Sequence, residues 1–476
     1  MKLFRFHLKK GRLYFIIFYL RFKDFNFDYD RTKRRRIGST VYIDAYLIPE
    51  DECCPNCASS KISKNGHVIR TVKDCTDACD LYIVKLHIQC YKCKDCGTIF
   101  REKEDFSMPN ESISKRSFIV IFDKLRLSTN TFESIAKDCH LSRQNIIDLF
   151  DRYIDYKPGK LPEVQSWDEK HINKSITDNA YLFNLVDFKT LKIYDILRSR
   201  HKKTLIDYFS KFDEDELKRV KYITMDMYVP YVEVAKMFFR HAKIAIDSFH
   251  VMQHVNNAMN KVRIRIMQKY NNKAENIDNN HIYYRLLKNY HLYFLKDIDD
   301  ISPKRFYVRA LNGWYDKYSL MRCMLNIDES LKTAYLLVNE YREFNKTCSY
   351  EEAPERFDEL IDLFYESKIN EFIDVSITLF TWREYIINSF IEIPDALSKP
   401  KSNDEEPKPR RLSSGGIEGL NSILEKLNMN GNGYTNFTRF KNRAIYIINK
   451  DVPILNNPLT IKDVNKIKRK TKKKEK

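Results

Sequence analysis

The chain lacks any apolar run long enough to cross a bilayer, which takes roughly 18 residues. The nearest candidate, LYFIIFYL (Leu13–Leu20), is too short, and Arg21, Lys23 and Asp24 follow it where a secretory leader would carry a small-residue cleavage site. It reads as a core strand or as an upstream extension. Internal repeats are absent. Glycine is scarce, with 11 residues in 476, and so is alanine, while Asn, Lys, Ile and Tyr abound. That balance fits an AT-rich genome and is silent about mechanism. A disulfide framework is missing too. The cysteines number eleven, which is odd, and eight of them fall between Cys53 and Cys96. Such clustering suits a metal site in a reducing cytoplasm better than paired bridges.

What is present in excess is positive charge. Lys plus Arg number 83 against 65 Asp plus Glu, a net +18 with pI near 9.2. The expected partner is a polyanion, nucleic acid first and an acidic membrane surface second; the plain alternative is a solvated basic surface. Hydrophobic residues make up 43%, enough for real cores. The length allows two to four domains. Residues 1–50 form an aromatic and basic extension containing RTKRRR (Arg31–Arg36). Residues 51–105 hold the cysteine cluster. Residues 106–156 read as helical and end at the linker KPGKLP. Strand-like and helix-like runs alternate over 157–264. Residues 265–397 read as nearly all helical, with apolar residues such as Leu331, Tyr335 and Val338 at helical spacing. A polar, Pro-rich loop and a last amphipathic helix occupy 398–450, and 451–476 form a basic tail ending KIKRKTKKKEK.

Two CxxC pairs, Cys54-Pro-Asn-Cys57 and Cys93-Lys-Asp-Cys96, lie 35 residues apart. Each can place two thiolates on one ion, and together they complete a tetrahedron for structural Zn²⁺. Gly97 directly follows the second pair, as a zinc knuckle needs, and LYIVKLHI (Leu81–Ile88) is a strand filling the long connection. Cys53, Cys75, Cys79 and Cys90 are competitors. Four thiolates leave no open position, so a catalytic zinc is not expected.

FESIAKDCHLSRQNIIDLF (Phe132–Phe150) has helix-turn-helix spacing. Ile135 and Ala136 lie on the first helix, Leu141 closes the turn, and Ile146 and Ile147 anchor the second. Ser142 caps the second helix. Arg143, Gln144 and Asn145 then stand at its N-terminal end, where a recognition helix meets base edges in double-stranded DNA. An ordinary helical hairpin with solvated polar residues is the competing reading.

Five β-runs follow: VQSWDEKHI, YLFNLVDF, KIYDIL, KYITMDM and KIAIDSF, with the amphipathic KKTLIDYFSKF between the third and fourth. Three antiparallel strands, a crossover helix and a parallel strand make a ribonuclease-H-like arrangement, in which the first and fourth strands are central neighbours. Asp168 lies in the first and Asp226 ends the fourth. Two such carboxylates repel unless hard divalent cations such as Mg²⁺ join them, and a pair of cations can clamp the attacking and leaving oxygens of a phosphoryl transfer. Separately, Asp226 could be a helix cap and Asp168 a salt-bridge partner. A third acid is sought on GGIEGLNSILEKL (Gly415–Leu427). There Ile417, Leu420, Leu424 and Leu427 form the buried stripe, and Glu418, Asn421 and Glu425 a polar edge. Glu418 is the choice, with Glu425 and Asp247 of DSFH as rivals. His171 and His250 read as structural. Trp382 reads as a core residue rather than a base-stacking one.

WDEKH, TMDMYVPY, DSFHVMQHVNNAMNKVR, TWREYIINSF, IEGLNSILEKL and GYTNFTRFKNRAI together resemble the DDE transposases of the bacterial insertion-sequence family called IS-L-three. The cysteine pairs and the helix-turn-helix stand in the same order as in that family, and the resemblance covers roughly residues 53–448. Three positions depart from its pattern without touching the acids: Ser248, the SSGG before Glu418, and the missing Arg before Cys93. The resemblance implies that Asp168, Asp226 and Glu418 are the DDE triad and hold Mg²⁺ or Mn²⁺, and that 265–397 is a helical insertion domain. The resulting expectation is a multidomain α+β protein: zinc module, helix-turn-helix, and a ribonuclease-H-like α/β core in two parts, 157–264 and 398–450. It implies a nucleoid-associated enzyme that binds terminal inverted repeats and target DNA as a homodimer or higher oligomer, cleaving and transferring strands by a two-metal reaction. An inactive DNA-binding regulator, a nuclease without strand transfer and, more remotely, a zinc-containing RNA-binding protein are the alternatives.

Overall fold

The computed structural model describes residues 25–48, 53–75, 80–172, 176–178, 180–271, 280–296, 304–397, 406–413, 417–431 and 434–464, without the side chains of Asn280 and Glu418. The LYFIIFYL run, Cys79 and the lysine-rich end of the tail lie outside them. The chain divides into two compact units: Met1–Tyr156 with Met429–Gly433 and Asn442–Lys476, and Lys157–Asn428 with Tyr434–Lys441.

The first unit opens with strands β1 (Lys33–Ile37), β2 (Thr40–Tyr46), β3 (Ile62–Asp74), β4 (Leu81–Cys93) and β5 (Ile99–Arg101). They form one sheet in the order β1-β2-β4-β3, with β5 also paired to β4. Alternation sends Val41, Ile43 and Ala45 of β2, and Tyr82, Val84, Leu86 and Ile88 of β4, to one face, where Phe27 and Phe106 complete an apolar core. Helices α1 (Lys115–Leu125), α2 (Phe132–Asp138) and α3 (Arg143–Tyr153) follow. Thr131 and Ser134 form a reciprocal capping box at the start of α2. Ser142 accepts from the Asn145 amide at the start of α3.

Residues 442–464, which the sequence assigned partly to the second half of the core and partly to the tail, pack inside this unit. Arg443 is fully buried, donates to the Asn130 carbonyl at 3.0 Å and lies over the Phe132 ring. Asn442 donates to the Ile154 carbonyl and the Tyr446 hydroxyl to that of Phe122, while Arg126 donates back to the carbonyls of Tyr446 and Val452. These bonds satisfy backbone groups where the helices end, a need that no local sequence pattern announces.

In the second unit β6 (Val164–His171), β7 (Tyr181–Asp187), β8 (Lys192–Leu197), β9 (Tyr222–Met225) and β10 (Lys243–Ile246) form a sheet in the order β10-β9-β6-β7-β8. The first three strands are antiparallel; β9 is parallel to β6, and β10 to β9. Between β8 and β9 run α4 (Lys202–Phe209) and α5 (Glu214–Lys218), and between β9 and β10 runs α6 (Val229–Phe238). Trp167, wholly buried, stacks on Phe209 at 5.1 Å between centroids and packs edge-on to Phe183 and Tyr231. Those contacts fix odd-numbered β6 residues toward this core and even-numbered ones, Asp168 among them, toward the other face.

The 22-residue α7 (Ser248–Lys269) leaves β10 and leads into α8 (Asn280–Asn289), the short hairpin β11 (Phe306–Val308) and β12 (Gly313–Tyr315), then α9 (Lys317–Leu325), α10 (Glu329–Thr347), α11 (Ala353–Glu366), α12 (Asn370–Thr381) and α13 (Arg383–Asn388). Leu331, Tyr335 and Val338 of α10 are buried as their spacing requires. The buried side chains of these helices join the sheet's own in one continuous apolar cluster. Trp382 is partly buried against that cluster, beside Tyr385. The hairpin β11–β12, and the pair β13 (Glu392–Leu397) and β14 (Pro409–Arg411), break what the sequence suggested was nearly all helix. The β13–β14 pair covers part of the sheet's second face through Ile393, Ala396 and Leu412. Finally come α14 (Glu418–Asn430) and α15 (Phe437–Ile448). No described helix is long and apolar enough to cross a membrane.

Candidate active site and cysteine centre

The second unit places Asp168 within β6 and Asp226 and Asp247 directly after β9 and β10. Trp167 pairs with Met225, so Asp168, inside β6, and Asp226, just past the end of β9, sit at the same level of adjacent strands. Asp247 follows the last residue of β10 and accepts a weak hydrogen bond, 3.4 Å, from the Phe249 amide as the cap of α7. One turn on, His250 Nε2 lies 2.7 Å from Asp226 Oδ1. Ligand atoms of Asp226, Asp247 and His250 all fall within 4.8 Å of one another. All three aspartates are buried, with 9, 7 and 6% exposure for Asp168, Asp226 and Asp247.

Burial first, and the charge of Asp226 second, push the Asp168 carboxyl up to about 7. The hydrogen bond to Asp226 raises His250 above the usual imidazole range. Carboxylate oxygens gathered beside one imidazole are the donors that a hard divalent cation takes.

Helix α14 borders this cluster. Asn421 Nδ2 donates to Asp168 Oδ2 at 2.5 Å, and Asn184 of β7, the register partner of Asp168, donates to Asn421 Oδ1 at 3.3 Å. The Glu169 amide donates to the other Asp168 oxygen at 2.7 Å. Glu425 instead pairs with Lys170 at 2.8 Å, two residues along β6 from Asp168. That contact occupies one rival for the third acid. Glu418 begins α14, one turn before Asn421; its side chain lies outside the described structure. His171 packs edge-on against Tyr181, away from this chemistry.

The structure therefore groups Asp226 with the rival Asp247 and His250, while Asp168 stands on the adjacent strand, near enough for the Asp226 charge to act on it but outside that ligand group. It also adds two residues that the sequence alone did not assign to the site. His250 was read as structural, although its position one turn after Asp247 was visible. Asn184 carried no signal, since only strand register sets it against Asp168.

In the first unit Cys54, Cys57, Cys93 and Cys96 converge, with sulfurs within 4.8 Å and both Cys54–Cys96 and Cys57–Cys93 at 3.6 Å. A tetrahedron with Zn–S of about 2.3 Å has sulfur edges of about 3.8 Å, so the four thiols fit zinc. Each pair sits on the same turn. Ala58 N donates to Cys54 O and Cys54 N to Ser59 O; Gly97 N donates to Cys93 O and Cys93 N to Thr98 O. The residue after each pair is left-handed, φ 57° at Ala58 and 73° at Gly97. Hydrogen bonds with Thr98 hold the Cys96 thiol down at about 6, which favours the ligating thiolate. Cys53 is exposed outside the cluster, Cys90 is buried apart from it, and Cys75 is buried against Cys139.

Of the residues at the head of α3, all exposed, Asn145 accepts from the Ser142 hydroxyl and Gln144 donates to Asp148. Arg143 makes no side-chain contact among the described residues.

Residues 166–398 match the sequence profile of a transposase family, the DDE type of IS-L-three. The matched stretch contains Asp168, Asp226, Asp247 and His250 and stops before Glu418. No curated protein matches the chain. The chain thus resembles the IS-L-three DDE transposases and carries a transposase-family domain.

Proposed function

We propose that the protein is a DNA transposase that binds the terminal inverted repeats of an insertion sequence and catalyses strand cleavage and strand transfer, with Asp168, Asp226 and Glu418 as its acidic triad. The observation that carries this reading is the placement of Asp168 and Asp226 on adjacent parallel strands, both buried, with one carboxyl driven up to about 7. The strand order, with first and fourth strands central, supports a ribonuclease-H-like core.

Asp168, Asp226 and Glu418 would hold two Mg²⁺ or Mn²⁺ ions, with Asp247 and His250 as further donors on the Asp226 side. Bound there, the ions would supply Lewis-acid polarisation of the scissile phosphate and activation of the attacking oxygen. The chain's own groups do the positioning. Asn421 and the Glu169 amide fix both oxygens of Asp168, and His250 fixes one of Asp226. Trp167 anchors the strand that carries Asp168 in the apolar core. Cys54, Cys57, Cys93 and Cys96 would hold a structural Zn²⁺, and the helix-turn-helix would present Ser142, Arg143, Gln144 and Asn145 to the repeats, with Arg143 free for a base edge.

The test is Mg²⁺-dependent cleavage of a duplex carrying an element end, followed by joining to target DNA, for wild type and Asp226→Asn. Cleavage and joining by wild type alone are expected. A variant that cuts at the wild-type rate overturns the site assignment, and cutting without joined product leaves a nuclease.

A further inference from the structure

The N-terminal sheet has two faces, and only one is occupied by the apolar core. Register fixes what the other presents. On β1, Lys33 and Arg35 pair with Asp44 and Tyr42 of β2. Tyr42 and Asp44 pair in turn with Ile83 and Lys85 of β4, and these with Lys73 and Thr71 of β3. Directly paired residues project to the same side, so this open face carries Lys33, Arg35, Lys73 and Lys85. Arg31 joins them from the turn before β1, its guanidinium 4.5 Å from the Tyr46 ring centre. Every residue of β1 is exposed, as are Lys85, Tyr42 at 38% and Ile69 at 53%.

Lys33, Arg35 and Lys85 have no side-chain partner among the described residues. Asp44 is the one acid that the paired strands place on this face, and it lies 3.5 Å from His87 Nε2. Exposed Ile37, Tyr42 and Ile69 are spread over three strands among these cations, so the face suits neither a membrane-inserting surface nor an apolar protein partner. It matches a polyanion.

We propose that this open face, built in part by the β1–β2 hairpin that precedes the cysteine module, is a sequence-independent docking surface for the phosphate backbone of duplex DNA. The proposal rests on the reading that the chain binds DNA. Duplex rather than single-stranded DNA follows from how the rings are used. Tyr46 and His87 stack on each other at 4.4 Å and 12°, His67 abuts His87 at 5.3 Å, and Arg31 covers Tyr46. Among the described residues of these paired strands only Tyr42 is left as an open ring on this face, whereas a single-strand platform needs successive ones. Cations spaced along flat, adjacent strands touch phosphates without reading bases.

The experiment uses the full-length, zinc-loaded chain and measures binding to a duplex of arbitrary sequence across a salt series, for wild type and the triple variant Lys33→Ala/Arg35→Ala/Lys85→Ala. Loss of three phosphate contacts should lower the slope of log K against log salt by about 2.7. That change corresponds to tens-fold weaker binding at the low-salt end relative to the high-salt end. Arg143→Ala, measured in parallel on an element end, should reduce preference for that end, which the triple variant should leave nearly unchanged. If wild type binds duplex and the triple variant keeps the wild-type slope at unchanged thermal stability, the face is not a DNA surface. A slope change confined to single-stranded DNA overturns the duplex assignment. A changed oligomeric state with unchanged DNA affinity shows that a second copy occupies the face instead. Absence of duplex binding by wild type overturns the functional reading along with the face.

Discussion

The cysteine centre and the carboxylate cluster are both groups of side chains that repel or stay neutral until a cation joins them, yet they are built in opposite ways. The cysteine centre is two copies of one five-residue turn, each closed by its own backbone hydrogen bonds and delivered by the two ends of a single hairpin. The carboxylate cluster takes Asp168 from within β6, Asp226 and Asp247 from the ends of β9 and β10, and Asn421 from a helix 253 residues away from Asp168. The proposed zinc would tie the two turns of the first together. The second rests on a large apolar core that needs no ion to pack. On the proposed reading, zinc would fold the first site, whereas divalent ions would only complete the second.

The largest effect expected from breaking this contrast is at the cysteines. Cys57→Ser, or zinc removal by chelation, should unfold the four-cysteine module, since structural zinc in small domains contributes about 10–16 kcal/mol. Metal analysis should fall from one zinc per chain to none, duplex binding should be lost, and the second unit should keep its own thermal transition. A chain that binds DNA normally without zinc would erase the distinction. Next comes Asp226→Asn, which should lower Mg²⁺-dependent cleavage at least about 10³-fold, the equivalent of roughly 4 kcal/mol, while duplex affinity and the melting temperature hold or rise.

Asn421→Ala removes the amide that orients Asp168 and should cost about 10–100-fold in cleavage, the range typical of groups behind a metal ligand. It should read out as a raised Mg²⁺ requirement rather than weaker DNA binding. A pH series sharpens the same point. Asp168 is driven up to about 7, above the ordinary carboxylate pKa of about 3.9, so the folded state binds its proton more tightly than the unfolded one. Its contribution to the metal-free protein is fully present below pH about 4 and is lost as pH rises to about 7. Chemical denaturation of the metal-free protein should show that fall, and Asp168→Asn should flatten it. The smallest effect concerns the turns. Ala58 occupies a left-handed conformation that Gly97 occupies at its counterpart, so Ala58→Gly should stabilise the module by about 1 kcal/mol or less, seen as a modest rise in melting temperature.

Much of this contrast was visible in the text of the chain because local geometry is written locally. CxxC spacing fixes two ligands within one turn, and strand runs such as KIYDIL and KYITMDM appear where their apolar residues put them. The β6 run was legible as a strand because Trp167 and its neighbours must be buried together. His250 was harder. A histidine one turn after a capping aspartate is more often structural, and only the juxtaposition of β9 with β10 sets it against Asp226. The packing of residues 442–464 with helices α1–α3 was likewise hidden, because the side chains that satisfy Asn130, Ile154 and Phe122 come from some 290–325 positions away. Nothing in the surrounding text marks Arg443 as buried rather than solvated.

The sequence by itself determined the residue types, the paired thiols, the capped helices and the alternation of the strands, because each depends on neighbours a few positions apart. The tertiary structure alone decided that Asp168 and Asp226 share a level, that Asn421 rather than Glu425 meets Asp168, and that Lys33, Arg35 and Lys85 share an open face. Those outcomes depend on register and packing between distant segments, where a shift of one residue sends a side chain to the opposite face.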